Sequence, residues 1–285
     1  MRYEQPGTIE DATSLLAGAG QAAFVLAGGT DLLVRMKSDD FEADLVVDIK
    51  AISGMTEVVE TEDAFVIGAA VTCAELGEHA ALVAAWPGVV EAANLIGSTQ
   101  VQGCTIVGNL CNASPAADSV PALVAANAQV RIAGPDGRRT IAAHDIPVGP
   151  GKTSLQMGEI VEAIVLAKPQ GASGDAYLRF IPRTEMDIAV VGAGVNLTLD
   201  ADGTVQAARV ALGAVAPKVV LSDEAAQAIL GTRLEDAALD ALAAACSAAS
   251  TPIDDKRGTV EFRKKVAGVL ARRAARIAYD RAGGK

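Results

Sequence analysis

Short apolar runs, separated by glycine or polar residues, open the chain. The run at residues 22–26 is typical of a buried strand, Gly28 and Gly29 end it, and a second strand-like run covers residues 45–49. Residues 32–36, between the two runs, have the pattern of a short helix. The first fifty residues therefore predict a small β–α–β unit.

The next hundred residues have the pattern of antiparallel strands accompanied by helices. Thr72 and Glu75 have the spacing of a helix capping box, and Trp86 followed by Pro87 interrupts the helical stretch that continues to residue 96. Turn residues between short apolar runs indicate two hairpins. The further elements predicted here are strands at residues 57–60, 64–67 and 160–166, a helix at 119–126 and a hairpin turn at 134–137.

Residues 97–118 are rich in glycine and small polar residues. The segment is too long for an ordinary connection, and loops of this length in compact domains are usually functional. The alternative is an Ω-loop with a purely structural role. The pattern thus marks this segment as a candidate binding site.

A small, polar stretch at residues 169–174 predicts a linker, and we place a domain boundary there. Beyond it the pattern predicts a sheet with a tight turn at residues 200–203, followed by helices, the last of which has an apolar stripe and a basic face. The predicted strands are residues 176–180, 188–199, 205–214 and 218–221, and the predicted helices are residues 223–249 and 259–281.

Composition and charge narrow the class of protein. Of the 285 residues, 51% are hydrophobic but only 3% are aromatic, so small aliphatic side chains must build the core, which suits an α/β or an α+β enzyme. The net charge of −11, without a basic and aromatic run, argues against nucleic acid as a partner. Neither a secretory leader pattern nor an apolar run of roughly 18 residues is present, so we expect a cytoplasmic protein without a membrane span.

Cysteine and histidine are scarce in this chain. Cys73, Cys104, Cys111 and Cys246 lack CxxC spacing, and we expect all four to be reduced thiols. The two histidines leave little material for a zinc site or a Ser-His-Asp triad. Four thiolates would have to converge from distant segments to hold an iron–sulfur cluster, so no metal site is predicted here.

A first glycine loop, residues 26–31, lies between a predicted buried strand and a predicted helix start. At such a junction backbone N–H groups lack partners, and glycines let the main chain approach a ligand closely. Together with the helix N-terminus and the hydroxyl of Thr30, these donors suit a pyrophosphate. The alternative is an ordinary tight turn, which a Gly-Gly pair alone would explain.

A second loop, residues 105–118, combines hydroxyl, amide and main-chain donors with a carboxylate at its end. A ribose or the edge of a flavin is bound by such a mixture of groups. Neither loop has the pattern of a Walker P-loop or of the G-x-G-x-x-G fingerprint, which disfavours those nucleotide-binding folds.

Four motifs follow one another along the chain. They are Ala27-Gly28-Gly29-Thr30-Asp31-Leu32, residues 105–118, Arg179-(x)3-Arg183-(x)3-Asp187-Ile188-Ala189 and Arg257-Gly258-Thr259-(x)2-Phe262-Arg263. Their order and spacing resemble the FAD-binding medium subunits of the molybdenum hydroxylases, the xanthine dehydrogenase and carbon monoxide dehydrogenase family. Because the motifs span almost the whole chain, the resemblance outweighs the structural alternatives for both loops.

The resemblance implies an α+β fold in two parts. The first is a two-lobed FAD-binding domain of the vanillyl-alcohol oxidase (PCMH) type, and the second is an antiparallel sheet plus helices of the CO dehydrogenase flavoprotein C-terminal type. We expect the first domain at residues 1–170, with lobes at about 1–53 and 54–170, and the second at residues 175–281.

The resemblance also implies an oxidoreductase subunit with partners. A small subunit would carry two 2Fe–2S clusters, a large subunit would hold the molybdopterin cofactor, and the assembly would be a heterotrimer or its dimer. Electrons would pass from the clusters to FAD in this chain and on to an external acceptor. The substrate of the large subunit and the acceptor, whether quinone, NAD, oxygen or a carrier protein, stay open.

For individual residues, the resemblance implies that the first loop cradles the pyrophosphate and the second loop lines the flavin. Arg179 would stabilise the anionic reduced flavin and Tyr177 would cover the ring, so these two are the predicted catalytic residues. The alternatives are a surface charge for Arg179, a core aromatic for Tyr177 and a structural ion pair between Arg183 and Asp187. The predicted cofactor-binding residues are Leu26, Ala27, Gly28, Gly29, Thr30, Asp31, Leu32, Thr105, Gly108, Asn109, Cys111, Ala117, Asp118, Ile160, Val161 and Arg179.

Two other functions stay open. A stand-alone FAD-dependent oxidoreductase of the same fold would bring its own acids, bases or a histidine-linked flavin, and both histidines lie outside the two loops. The other is a non-catalytic assembly subunit with a decayed FAD site, because Val107 stands where relatives usually have glycine. The valine either crowds the flavin or points away from it.

Overall fold

The structure, a computed structural model, describes residues 1–38, 41–183 and 187–284. Its mixture of helices and sheets confirms the predicted α+β fold. In chain order the strands are β1 (Arg2–Glu4), β2 (Ala23–Leu26), β3 (Leu45–Asp48), β4 (Val58–Glu60), β5 (Ala64–Gly68), β6 (Gln129–Gly134), β7 (Gly137–Ala142), β8 (Pro147–Gly149), β9 (Lys152–Thr153), β10 (Ile160–Ala167), β11 (Ala172–Phe180), β12 (Val191–Leu199), β13 (Val205–Gly213) and β14 (Val220–Leu221). The α-helices are α1 (Ile9–Ala19), α2 (Leu32–Arg35), α3 (Cys73–Glu78), α4 (Ala80–Ala85), α5 (Pro87–Asn94), α6 (Ile106–Cys111), α7 (Ser119–Ala125), α8 (Asp223–Gln227), α9 (Asp236–Ala249) and α10 (Val260–Arg281). Among the described residues, no helix has both the length and the apolar character needed to cross a bilayer.

The first sheet is parallel and has the strand order β1-β3-β2. α2 connects β2 to β3, so the predicted β–α–β unit is confirmed. All four residues of β3 are buried, as expected for the central strand of a parallel sheet. The hydrophobic pattern does not predict β1 and α1, because the buried face of α1 consists of Ala12, Thr13 and Leu16, a mixture of small and polar residues.

The second sheet is antiparallel and has the strand order β4-β5-β10-β6-β7. Both predicted hairpins, β4–β5 and β6–β7, are present. The capping box of α3 is confirmed, since the Glu75 amide donates to Thr72 Oγ1 at 3.2 Å and the Thr72 amide donates to Glu75 Oε2 at 2.8 Å. The helical stretch that follows is divided into α3, α4 and α5, because the backbone leaves helical geometry at His79 as well as at Trp86.

The third sheet is antiparallel and has the strand order β11-β12-β13-β14. β11 begins at Ala172, which pairs with Leu199, so the predicted linker at residues 169–174 is wrong in its second half. Alanine, serine and glycine have a weak strand preference, but pairing with β12 overrides it. The predicted helix at residues 223–249 is two helices, α8 and α9, with Gly231 at a φ of +73° in the turn between them.

α10 packs against β11, β12 and α9 through small residues. The alanines of its buried face that have no exposed surface are Ala267, Ala271, Ala274, Ala275 and Ala278. A Cβ on Gly174 of β11 would lie 2.2 Å from the carbonyl oxygen of Ala278, so the helix backbone almost touches the strand. Such an approach requires side chains no larger than a methyl group.

Asp175 of β11 ties the third sheet to α5. Its carboxylate accepts hydrogen bonds from the backbone amides of Gly88 and Val89, both at 3.0 Å, in the first turn of that helix. Arg281, at the end of α10, pairs with Glu91 of α5 and donates to the Asp175 carbonyl oxygen at 2.8 Å. The sheet, α5 and α10 therefore meet at Asp175, α5 through its carboxylate and α10 through its carbonyl oxygen.

Replacing Asp175 by alanine would leave the amides of Gly88 and Val89 buried without acceptors. We expect Asp175→Ala to lower the free energy of unfolding by about 2 kcal/mol at pH 7, measured by urea denaturation. Asp136→Ala, in an exposed hairpin turn, is the matched control and should change the stability by less than about 0.5 kcal/mol. Equal losses in the two variants would contradict this role of Asp175.

The same variant tests the titration of this carboxyl group. Burial raises the pKa of Asp175 to about 6, although the hydrogen bonds from Gly88 and Val89 oppose the shift. The pKa in the unfolded chain is about 3.9, so protonation of Asp175 adds a pH-dependent contribution to stability that is full below about pH 4 and is lost as the pH rises through about 6, while the two amide hydrogen bonds remain at pH 7. We expect the stability difference between the wild type and Asp175→Ala to widen as the pH falls through this window; a constant difference would count against the raised pKa.

Candidate functional site

One cleft brings the two glycine loops together. Its volume is about 260 Å³, and residues of β2, α2, α6 and β10 contribute to its walls. The predicted site residues in its lining are Ala27, Gly28, Gly29, Thr30, Asp31, Leu32, Thr105, Gly108, Asn109, Cys111, Ile160 and Val161. Lining residues that the sequence does not predict are Phe24, Val25, Arg35, Ile49, Ala69, Ile96, Cys104, Val107, Asn112, Leu155 and Glu159. Of the described residues, the predicted Leu26, Ala117, Asp118, Tyr177 and Arg179 are not part of this lining.

The backbones of the two loops touch at Gly28, which contacts Gly103 and Cys104, the residues that lead into the second loop. A Cβ at this position would lie 2.3 Å from the carbonyl oxygen of Gly103 and 2.9 Å from the Cα of Cys104, closer than non-bonded atoms approach. Only glycine fits such a contact. Gly28 is therefore required by the segment that leads into the second loop and not only by the local turn.

The backbone amides of the first loop supply donors to the cleft. Gly29 has a φ of +76°, a left-handed conformation that glycine adopts without strain and that turns the chain from β2 into α2. Within the described part of the chain, no protein acceptor receives a hydrogen bond from the amides of residues 28–31. Several unpaired amides at one bend form an anion-binding concavity, as a diphosphate requires.

The second loop contains a short helix, α6, that the sequence pattern does not predict. Thr105 is its N-cap: Thr105 is 3% exposed, and its Oγ1 accepts a hydrogen bond from the Gly108 amide at 2.9 Å. Val107 packs into the hydrophobic core, where it is 5% exposed, and it also lines the cleft. The core therefore accommodates the side chain of Val107.

Asn109 of α6 is held with its amide nitrogen directed away from Ser119. Its Oδ1 accepts hydrogen bonds from the Ser119 amide at 3.1 Å and from the Ser119 hydroxyl at 2.6 Å. Because a backbone N–H can only donate, the atom that faces Ser119 must be the oxygen. Asn109 lines the cleft, so its Nδ2 group is the hydrogen-bond donor that remains for a ligand.

A set of polar contacts supports the first loop, and the sequence pattern does not predict them. Lys50 Nζ donates to the carbonyl oxygen of Ala27 at 3.2 Å and pairs with Asp48 at 2.8 Å. The hydroxyl of Tyr3 donates to the other oxygen of Asp48 at 2.6 Å. Burial opposes ionisation, but the hydrogen bonds from Lys50 and Tyr3 hold the pKa of Asp48 below its usual value. β1, β3 and the first loop are thus joined through one ionised carboxylate.

The charged side chains of the cleft lining are one cation, Arg35, and two carboxylates, Asp31 and Glu159. The Arg35 guanidinium lies over the rings of Phe24 and Phe41, 5.8 and 4.9 Å from their centroids. The Glu159 carboxylate pairs with Arg139 at 2.7 Å, and this hydrogen bond holds the pKa of Glu159 below its usual value. Because Glu159 is neutralised by its partner, it does not oppose an anion next to Arg35.

Tyr177 and Arg179 of β11 meet Asp118 in a buried cluster outside the cleft lining. Arg179 Nη1 donates to Asp118 Oδ2 at 2.7 Å, and the Tyr177 hydroxyl donates to Oδ1 at 3.2 Å. The side chains of Arg179 and Asp118 are 8% and 10% exposed, so Arg179 is not a surface charge. Burial raises the pKa of Asp118 to about 6, although Arg179 and Tyr177 lower it. The cluster fastens the end of the second loop to the third sheet.

The two remaining motifs hold the third sheet to the segment before α10. Asp187 pairs with Arg183 at 3.0 Å and with Arg257 at 3.3 Å. Arg263 is 3% exposed and donates to the carbonyl oxygen of Val190 at 2.9 Å. The structural ion pair between Arg183 and Asp187 is therefore present, and Arg257 extends it.

Comparison with known proteins identifies the class. One family model, described as FAD binding domain in molybdopterin dehydrogenase, matches residues 1–169, and a second, CO dehydrogenase flavoprotein C-terminal domain, matches residues 176–278. The carbon monoxide dehydrogenase medium chain of Afipia carboxidovorans is 34% identical over 98% of this chain and 97% of the relative. The xanthine dehydrogenase FAD-binding subunit of Escherichia coli is 30% identical over 99% of this chain and 97% of the relative.

Solved structures agree with these matches. A chain of the carbon monoxide dehydrogenase from Hydrogenophaga pseudoflava has a TM-score of 0.94 at 31% identity, with 99% of this chain and 98% of that chain covered. The fold and the cleft thus define a flavoprotein of the molybdopterin dehydrogenases. The chain belongs to the family of FAD-binding medium subunits of the molybdenum hydroxylases, which confirms the predicted family.

The residues of the cleft fit FAD. The unpaired amides of residues 28–31 match the oxygen acceptors of a diphosphate, and Arg35 adds a positive charge. Ile96, Ile160 and Val161 present apolar surface for a flat ring. The combination of an anion-binding bend and an apolar wall in one cleft is what a flavin dinucleotide needs.

A methyl group at Gly28 should separate the two loops. We expect Gly28→Ala to weaken FAD binding by at least about tenfold, because the added Cβ meets the backbone of Gly103 and Cys104. Titration of the apo-protein with FAD, followed by quenching of flavin fluorescence, measures the dissociation constant. Gly103→Ala is the matched control, since a Cβ there meets nothing within 4 Å; similar losses in both variants would show that the loop contact is not what matters.

Proposed function

We propose that this chain binds FAD in the cleft between its two glycine loops and passes electrons from the iron–sulfur clusters of a partner subunit to an external acceptor. The observation that carries the proposal is the meeting of both loops at one cleft, with the amides of residues 28–31 unpaired. Its relatives include medium subunits of carbon monoxide dehydrogenase and FAD-binding subunits of xanthine dehydrogenase, which supports an oxidoreductase function.

The chain itself positions the cofactor and sets its surroundings. When bound, FAD supplies one- and two-electron redox chemistry. The amides of residues 28–31 and the hydroxyl of Thr30 would hold the diphosphate, while Lys50 keeps the loop in place through the Ala27 carbonyl. Asn109 Nδ2 would donate to a polar edge of the cofactor, and Ile160 with Val161 would pack against a ring.

We also propose the assembly and its setting. The partners would be a large molybdopterin subunit and a small subunit with two 2Fe–2S clusters, in a heterotrimer or its dimer. Four free cysteines fit a reducing compartment such as the cytoplasm.

Two domains are proposed, residues 1–170 and 175–281. The first and second sheets and the cleft fall within the first range, with lobes at about 1–53 and 54–170 built on the parallel and antiparallel sheets. The third sheet with α8 to α10 falls within the second range. The support is that one family model ends at residue 169 and the other begins at residue 176.

Arg179→Ala decides between two roles of this side chain. A guanidinium that acts on the flavin would stabilise the reduced anion, so its loss would lower the flavin midpoint potential. Because Arg179 is paired with Asp118 and lies outside the cleft lining, we expect instead weaker FAD binding, by about fivefold, with an unchanged midpoint. Redox titration of the holo-subunit measures the midpoint; a clear fall would restore the direct role of Arg179 at the ring.

The function itself is tested by measurements on the native complex and on the isolated chain. We expect purification from the native host to yield molybdenum and iron together with this chain. The isolated chain should carry one FAD, with its absorbance band at about 450 nm. Electrons from the reduced clusters should then bleach that band. A chain that stays colourless with FAD would favour an assembly subunit, and one that turns over a small substrate without partners would favour a stand-alone enzyme.

A further inference from the structure

Two of the four cysteines lie side by side next to the cleft. Cys73 is the first residue of α3, and Cys104 comes immediately before Thr105, the N-cap of α6. Their sulfur atoms are 3.3 Å apart, and the residues are 0% and 3% exposed. Cys104 also lines the cleft, so one member of the pair faces the site that a small reagent can enter.

The backbone holds this pair in place. The Cys73 amide donates to the carbonyl oxygen of Cys104 at 2.8 Å, and the Ala74 amide donates to that of Gln102 at 3.2 Å. The two segments therefore run side by side, and the contact between the sulfurs is fixed by the main chain. A disulfide has an S–S distance of about 2.05 Å, so the two sulfurs have to approach each other by little more than about 1 Å.

The hydrogen bond between the thiols makes them unequal. The Cys73 thiol holds the pKa of Cys104 below its usual value, and Cys104 in turn raises the pKa of Cys73. The thiolate is the form of cysteine that reacts with peroxides. Cys104 therefore combines the more acidic thiol with the position at the cleft, while Cys73 lies behind it as a second thiol.

The geometry points to a peroxide-responsive dithiol, in which Cys104 and Cys73 close to a disulfide that joins α3 to the second loop. In the first step the Cys104 sulfur attacks an oxygen of hydrogen peroxide, the O–O bond breaks, and a sulfenic acid and one water form. In the second step the Cys73 sulfur displaces the hydroxyl group of that sulfenic acid, which leaves as a second water when the S–S bond forms. Two thiols lose two electrons to one peroxide and give one disulfide and two waters.

The site of this bond gives it a structural effect. Gly28 packs against the backbone of Cys104, so the bond would form where the two glycine loops touch. It would close a loop between residues 31 positions apart and restrict the unfolded chain accordingly. The oxidised protein should therefore unfold about 5 °C above the reduced protein. Bound FAD would fill the cleft that Cys104 lines, so we expect this effect in the FAD-free chain.

The test is mass spectrometry of the full chain after treatment with hydrogen peroxide. We expect denatured, alkylated wild type to carry two alkyl groups where the reduced protein carries four, and a linked peptide pair that contains Cys73 and Cys104. Cys246→Ser, in a buried thiol outside this pair, is the matched control and should form the same link. Four alkylated thiols after treatment, or a link between other cysteines, would overturn the proposal.

Single-cysteine variants assign the order of the steps. In Cys73→Ser the reaction should stop at a sulfenic acid on Cys104, which dimedone traps, and the peroxide-induced rise in melting temperature should be absent. If dimedone instead labels Cys111 and leaves Cys104 as a thiol, Cys104 is not the residue attacked. The wild-type measurement stands by itself should this variant fold poorly.

Discussion

The contact between the backbones of the two glycine loops is the constraint on which the site depends. Gly28 admits Gly103 and Cys104 at a distance that no side chain would allow, and this brings the donors of the first loop to the same cleft as α6. Each loop is also held by polar contacts of its own. Lys50 and Asp48 fix the first loop to the parallel sheet, and Thr105 caps the short helix of the second. The cleft therefore exists only when two separately built units are in contact.

The third sheet takes part in this arrangement through two buried carboxylates. Asp118 closes the second loop and binds Tyr177 and Arg179 of β11, whereas Asp175 of the same strand caps α5. Both carboxyl groups have raised pKa values because both are removed from water, and both are satisfied by fixed donors. β11 thus carries two of the ties between the third sheet and the first 170 residues. A change in the position of β11 would therefore move Asp118 at the end of the second loop.

Local signals in the sequence predict a large part of the fold. The capping box at Thr72, the hairpin turns and the bend at Gly28 and Gly29 depend on residues close in the chain, and these elements are present as predicted. Elements stabilised mainly by distant partners are missed: α1 has a weak apolar face, and β11 begins inside an expected linker because β12 and α10 support it. The site follows the same rule. Both loops could be found from their motifs, but no motif shows that Lys50 reaches Ala27 or that Asp118 captures Tyr177 and Arg179.

The alanine face of α10 limits which substitutions this protein can accept during evolution. Alanine gives up no rotamer freedom on burial, so the helix docks without the entropic penalty that larger side chains incur. The close packing leaves no free volume, because Gly174 already lies against the carbonyl oxygen of Ala278 and an added methylene would clash with the helix backbone. Side-chain volume, more than polarity or charge, then determines which substitutions the interface between α10 and the third sheet can tolerate. Divergence within such a subunit is thereby steered toward its loops and outer faces, where a new electron acceptor or a new neighbour can be accommodated while the helix and strand stay as they are.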